Sequence, residues 1–315
     1  MFYRRWTAAC AAGEMIGIGV ATISALAMNT WGRRAAEGER VRRDILAALP
    51  DADVSVGVCD LGDFASIRRA AGQLLAERPR MDILVHNAGA TFPSRTITAD
   101  GVEATLAVDV MGPHLLTTLL GERLEMSRAR VIALTGIYHR KGHVDISDLA
   151  FRRRPFEWLA ANNQAQRGRF LFIAELARRA PRLSTASVHP GAVLTGAQPR
   201  LPWFLKAVVR TVARPAFLRA EVGAIPVLRL AAHPEMPRWT GRFFDRCHLA
   251  ADVPERAPTD AFWRVCETLT GRRGRMNVPL LRSRGRGATR VERHHQGEVD
   301  DSLEQAPGHP CRHAR

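Results

Sequence analysis

The chain is poor in lysine, tyrosine and aromatic side chains generally, and each shortage removes a class of function. Lys141 and Lys206 are the only lysines among 46 basic residues, so the formal charge of +15 is carried by arginine. That skew fits GC-rich codons better than a phosphate-binding face, and 6% aromatic residues are too few for a base-stacking platform, which disfavours nucleic acid as a partner. The five cysteines lie far apart with no C-x-x-C pair. Neither a zinc site nor a dense disulfide framework is expected, and scattered thiols suit a reducing, cytoplasmic setting. Long apolar runs are also missing. The amino-terminal run is interrupted by Glu14 and three glycines, which suits a signal peptide poorly, and nothing else approaches the roughly 18 apolar residues of a membrane span. No transmembrane segment and no metal site are therefore expected.

What is present is a chain of 315 residues with 46% hydrophobic content, enough to bury a sizeable core. From residue 35 on, helical periodicity alternates with short β-rich runs. Helices are expected over 35–49, 64–77, 101–124, 158–179 and 221–232, and strands over 54–60, 81–86, 130–134 and 184–188. This βα alternation predicts a Rossmann-like, doubly wound parallel sheet in a single α/β domain spanning 1–270. Residues 271–315 carry ten arginines against five acids, with no periodic apolar face, and are expected to form a disordered Arg-rich tail.

The amino-terminal glycines suggest a cofactor. Gly13, Gly17, Ile18 and Gly19 follow an apolar run and are expected to open a helix over 20–27. A strand, glycine turn and helix in that order let backbone N–H groups face a pyrophosphate. With Ala12 ahead of them, these glycines resemble the T-G-x-x-x-G-x-G of the short-chain dehydrogenase/reductase family, and its retinol-dehydrogenase-like branch in particular. The likeness extends across the body of the chain. Asp60 and Leu61 resemble the D-L pair at adenine, and His86, Asn87, Ala88 and Gly89 resemble N-N-A-G. Asp148 with Leu149, Pro190 with Gly191, Thr195 with Gly196, and the run from Thr240 to Phe244 are similar too. By that resemblance Gly32, Arg33 and Arg34 follow strand two, where an arginine meets the adenosine 2′-phosphate, so NADP(H) is favoured over NAD(H). One departure stands out: only Met28, Asn29, Thr30 and Trp31 remain for a second strand that is normally longer.

The family transfers hydride between a nicotinamide and a carbonyl or alcohol, with a Tyr, Lys, Ser and Asn tetrad managing the proton. Each of those positions is changed here. Asp109 stands where the resemblance places asparagine, Gly136 where it places serine, Asn162 where it places tyrosine and Gln166 where it places lysine. No tyrosine or lysine occurs between Lys141 and Lys206, so realignment does not restore the pair. An amide has no useful acidity, and glutamine carries no charge to stabilise a phenolate. Tyr138, just past the serine position, is the candidate substitute acid. Residues 199–218, with Trp203 and Phe204, resemble the segment that covers the substrate and point to a small hydrophobic or aromatic ligand. The resemblance thus implies an oxidoreductase: an NADP(H)-dependent ketoreductase for a hydrophobic carbonyl, such as a polyketide in antibiotic biosynthesis, acting as a homo-oligomer. The alternative is a catalytically impaired nucleotide-binding pseudoenzyme that works through an interface.

Overall fold

The computed structural model describes residues 20–23, 27–193 and 218–271. The glycines Gly13, Gly17 and Gly19, together with Ile18, lie outside those residues, as do most of 199–218 and the carboxy-terminal segment from residue 272.

Eight strands form one sheet in the order β3-β2-β1-β4-β5-β6-β7-β8. They are β1 (Val20–Ile23), β2 (Ala27–Gly32), β3 (Asp53–Val58), β4 (Ile83–His86), β5 (Arg130–Leu134), β6 (Ser184–His189), β7 (Arg242–Asp245) and β8 (His248–Leu249). The helices are α1 (Ala35–Ala48), α2 (Phe64–Glu77), α3 (Ala104–Ser127), α4 (Trp158–Arg179), α5 (Ala220–Ala232) and α6 (Arg256–Thr270). Strand pairs β2·β3, β4·β5, β5·β6 and β6·β7 are parallel.

Alternation along the strands divides the core into two layers. Ile83, Val85, Ile132, Ala186 and Val188 face one way, onto Val41 and Ile45 of α1 and Val227 and Leu230 of α5. Leu84, Val131 and Ala133 face the other way, onto Ile67 and Leu74 of α2, Leu116 and Leu120 of α3, Phe172 of α4 and Trp263 of α6. A sheet buried on both faces needs apolar residues at consecutive strand positions, as in the fully buried run of β4. Each fully buried Val, Leu, Ile or Phe among them stabilises the fold by roughly 1.5–3 kcal/mol. Helix α3 is the one described helix long and apolar enough to cross a membrane, yet 89% of its apolar stretch is buried within this fold.

Two expectations fail here. The helix expected over 20–27 is instead β1, antiparallel to both neighbours, β2 and β4. Three of its four residues, Val20, Thr22 and Ile23, are β-branched, which favours extended backbone. The second strand is not truncated either: β2 has six residues, all in register with β3. Cysteine chemistry also differs from expectation at one position, since Cys59 and Cys266 are free and buried but Cys247 is disulfide-bonded.

Candidate active site

The parallel strands β4, β5 and β6 end on one edge of the sheet, and the chain segments that leave them build a cleft of about 240 Å3. Asn87, Gly89 and Thr91 follow β4, Pro190 follows β6, and Asn162 and Gln166 project from α4. Asp109 closes the floor, while Val193, Ala224 and Val227 supply an apolar wall. Asp109 is thus brought together with Asn162 and Gln166, which lie one turn apart on α4. Gly136 adjoins them through its backbone N–H, which donates to Gln166 Oε1 at 2.7 Å.

The floor is shaped by a turn of π-helix, Ala107–Met111, inside α3. Pro113 has no N–H to give the Asp109 carbonyl, so that oxygen is released from the helical ladder. Arg169 takes it, its Nε donating to Asp109 O at 2.7 Å. The same guanidinium donates from Nη2 to Ala88 O at 2.7 Å and from Nη1 to Leu134 O, so it ties the ends of β4 and β5 to the π-turn. Arg169 is only 2% exposed. Sequence reasoning missed it, because one arginine among 46 basic residues carries no signal; the proline four residues after Asp109 was the available clue.

With Arg169 directed at carbonyls, its nearest approach to the Asp109 carboxylate is a 3.5 Å ion pair from Nη2 to Oδ1. Oδ1 also accepts from Ala90 N at 2.9 Å, and Oδ2 has only a long contact of 3.4 Å from Gln166 Nε2. Burial with so few donors pushes the Asp109 carboxyl up to about 6, with Arg169 and the Ala90 N–H pulling it down and Glu103 adding to the rise. Gln166 does not mimic a lysine. Its Oε1 is taken by Thr135 Oγ1 and Gly136 N, both at 2.7 Å, which makes it a strut between α4 and the end of β5. Asn162 Oδ1 accepts from Thr91 Oγ1 at 3.3 Å, and the residue lines the cleft.

Tyr138 sits in the 3-10 turn Ile137–Arg140, is 48% exposed and is not part of the cleft lining. Its ring stands beside Gly136, 3.5 Å from where a Cβ on that glycine would be. His139 turns inward instead: its Nδ1 is 2.9 Å from Gly136 O and its ring packs on Phe170 and Phe243, and burial lowers its pKa. Asp148 is a loop organiser that accepts the backbone N–H groups of Arg152, Arg153 and Arg154. Gly191 has φ +92, and a Cβ there would stand 2.5 Å from Leu218 Cδ1, so this turn needs glycine.

The model for the short chain dehydrogenase family matches residues 7–146. Human retinol dehydrogenase 13 is 31% identical over 224 residues, covering 69% of this chain and 68% of the relative. Mouse retinol dehydrogenase 12 is 31% identical over 240 residues, covering 74% and 75%. The chain belongs to the short-chain dehydrogenase/reductase family, in its retinol-dehydrogenase-like branch. A Streptomyces sp. (strain C5) protein whose name proposes a daunorubicin C-13 ketoreductase is 34% identical, covering 62% of this chain and 67% of that protein. A solved short chain dehydrogenase from Burkholderia cenocepacia, in complex with NADP, shares the fold at TM-score 0.53 and 20% identity, covering 69% of this chain and 84% of that one.

The described residues fit the nicotinamide dinucleotide that this fold binds. Asp60, just past β3, accepts from Gly62 N on Oδ1 at 2.8 Å. Asn87 to Gly89 and the tight turn at Gly191 lie along the same sheet edge, where backbone can approach a ligand closely. Arg33 is exposed at the end of β2 with no ion pair among the described residues, whereas Arg34 is held by Glu37.

Proposed function

We propose that this protein is an NADP(H)-dependent carbonyl reductase for a small hydrophobic or aromatic ketone, of the kind that arises in polyketide antibiotic assembly. The observation that carries this reading is the meeting of Asp109 and Asn162 in a cleft between Asn87–Gly89 and Pro190, with an apolar opposite wall. Arg33 is the group for a 2′-phosphate, since a guanidinium fork matches phosphate oxygens and stays charged. By the resemblance alone, Gly13, Gly17 and Gly19, outside the described residues, are the positions for the pyrophosphate. Val20, the residue after Gly19, pairs with His86 and Trp31 at the sheet edge where the cofactor groups lie.

Bound there, the nicotinamide supplies or accepts hydride. The chain's own contribution is to exclude water with Val193, Ala224 and Val227, orient the carbonyl with the Asn162 amide, and hold the π-turn in place through Arg169. The resemblance to the Streptomyces relative supports a ketone substrate, and the branch supports a hydrophobic one. A second reading, a nucleotide-binding protein without turnover, is favoured by the locked Gln166 amide. NADPH consumption with aromatic ketones separates the two: steady oxidation supports a reductase, and binding without oxidation supports the second reading. Arg33→Ala should weaken NADPH binding about tenfold or more and leave NADH binding within twofold. Equal losses for both cofactors would remove Arg33 from the 2′-phosphate site.

A further inference from the structure

The cleft has lost both the phenol and the amine of its family, yet a reduced carbonyl still needs a proton. Among the described residues, the carboxyl of Asp109 is the one ionisable group that lines the cleft. Tyr138 is outside the lining, and His139 faces Gly136 O and Asp252. The Asp109 oxygens differ. Oδ1 is held by Ala90 N and approached by Arg169, whereas Oδ2 has only the long contact to Gln166. Gly89 borders the carboxyl without crowding it: a Cβ there would make only ordinary contact, 3.6 Å from Oδ1 and 3.9 Å from Oδ2.

Resting on the reductase reading above, we propose that Asp109 is the proton donor of this site, acting from Oδ2, with the Asn162 amide holding the carbonyl oxygen. A bound reduced nicotinamide would supply the hydride, which carries its electron pair to the carbonyl carbon as the C=O π electrons pass to oxygen. The oxygen takes the Asp109 proton, directly or through one water, and the carboxylate is then reprotonated from solvent. The charged groups facing Asp109 are Arg169 from α4 and Glu103 at the start of α3, and they act in opposite directions. The Arg169 guanidinium, 3.5 Å from Oδ1, favours the carboxylate, but burial opposes its ionisation more strongly and keeps the group protonated below about pH 6.

Two readouts test this on the full-length protein. In the first, infrared difference spectra of wild type against Asp109→Asn, with 13C-labelled aspartate, should show a protonated carboxyl at pH 5 that titrates near pH 6. A carboxylate already fully ionised at pH 5 overturns the proposal whatever the turnover. In the second, Asp109→Asn should keep NADPH affinity within about threefold and lower kcat for ketone reduction by roughly 10²-fold. Asp109→Glu should restore part of that rate and its pH dependence. An asparagine variant within twofold of wild type overturns the proposal. Wild type that binds NADPH but reduces no carbonyl overturns it too, leaving nucleotide binding intact, whereas failure to bind NADPH defeats the functional reading itself.

Discussion

Arg169, Asp109 and the buried imidazoles illustrate how single side chains set the pH behaviour of this site. The raised Asp109 pKa means the folded state binds a proton more tightly than the unfolded chain. Its contribution to stability is therefore full below about pH 4 and is lost as pH rises through about 6. His86 and His114 act in the opposite sense. Burial lowers both to about 3, so their contribution is full above the usual histidine value of about 6.5 and is lost progressively as pH falls from there towards 3. His86 Nε2 has Thr117 Oγ1 at 2.7 Å, but neither nitrogen of His114 has a hydrogen-bond partner, and its ring lies edge-on to Phe172 and Trp263. His114→Leu should accordingly keep or raise the Tm at pH 7, because an unsatisfied buried polar group is replaced by an apolar one. It should also reduce the loss of stability between pH 7 and pH 5 by about 2 kcal/mol. Thermal melts at the two pH values check this, and an unchanged acid sensitivity would contradict it.

At the scale of elements, α3 and its π-turn position the cleft. Glu103 caps the helix start by accepting from Thr105 N and Leu106 N, Pro113 frees the Asp109 carbonyl, and Gly112 lets the helix approach the chain just after β3. A Cβ at Gly112 would lie 2.4 Å from Leu61 O, a backbone atom that cannot swing aside. Gly112→Ala should therefore cost about 1–3 kcal/mol, read as a lower urea midpoint. Because Leu61 follows Asp60, NADPH affinity should fall as well; a variant with wild-type midpoint and affinity would show that the helix is free to shift. The sheet centre has a different origin. β1 forms from a β-branched run, and its antiparallel direction brings Val20 to the same edge as His86.

For the whole molecule, the doubly wound fold was legible because its elements carry strong periodic patterns. The helix bounds expected at 64–77 and 158–179 and the strand at 130–134 are those observed, the strand as a short apolar run buried on both faces. β1 was misread because the glycine template demands a helix where Val20, Thr22 and Ile23 prefer a strand. α6 has no counterpart among the helices expected from sequence, although Phe262, Trp263 and Cys266 recur at helical spacing on its buried face. In the cleft, Asp109, Asn162 and Gln166 could be placed by motif spacing, but Arg169 and the strut role of Gln166 depend on carbonyls and hydroxyls brought together only by folding. The central claim is that the sheet edge between Asn87 and Gly191 accepts a nicotinamide dinucleotide. The most direct test is a titration of NADPH fluorescence with wild type and Gly191→Val, whose side chain would collide with Leu218 and rebuild that turn. Saturable enhancement with wild type, weakened at least tenfold in the variant, is the predicted result; no enhancement with wild type, or equal binding by both proteins, would contradict it.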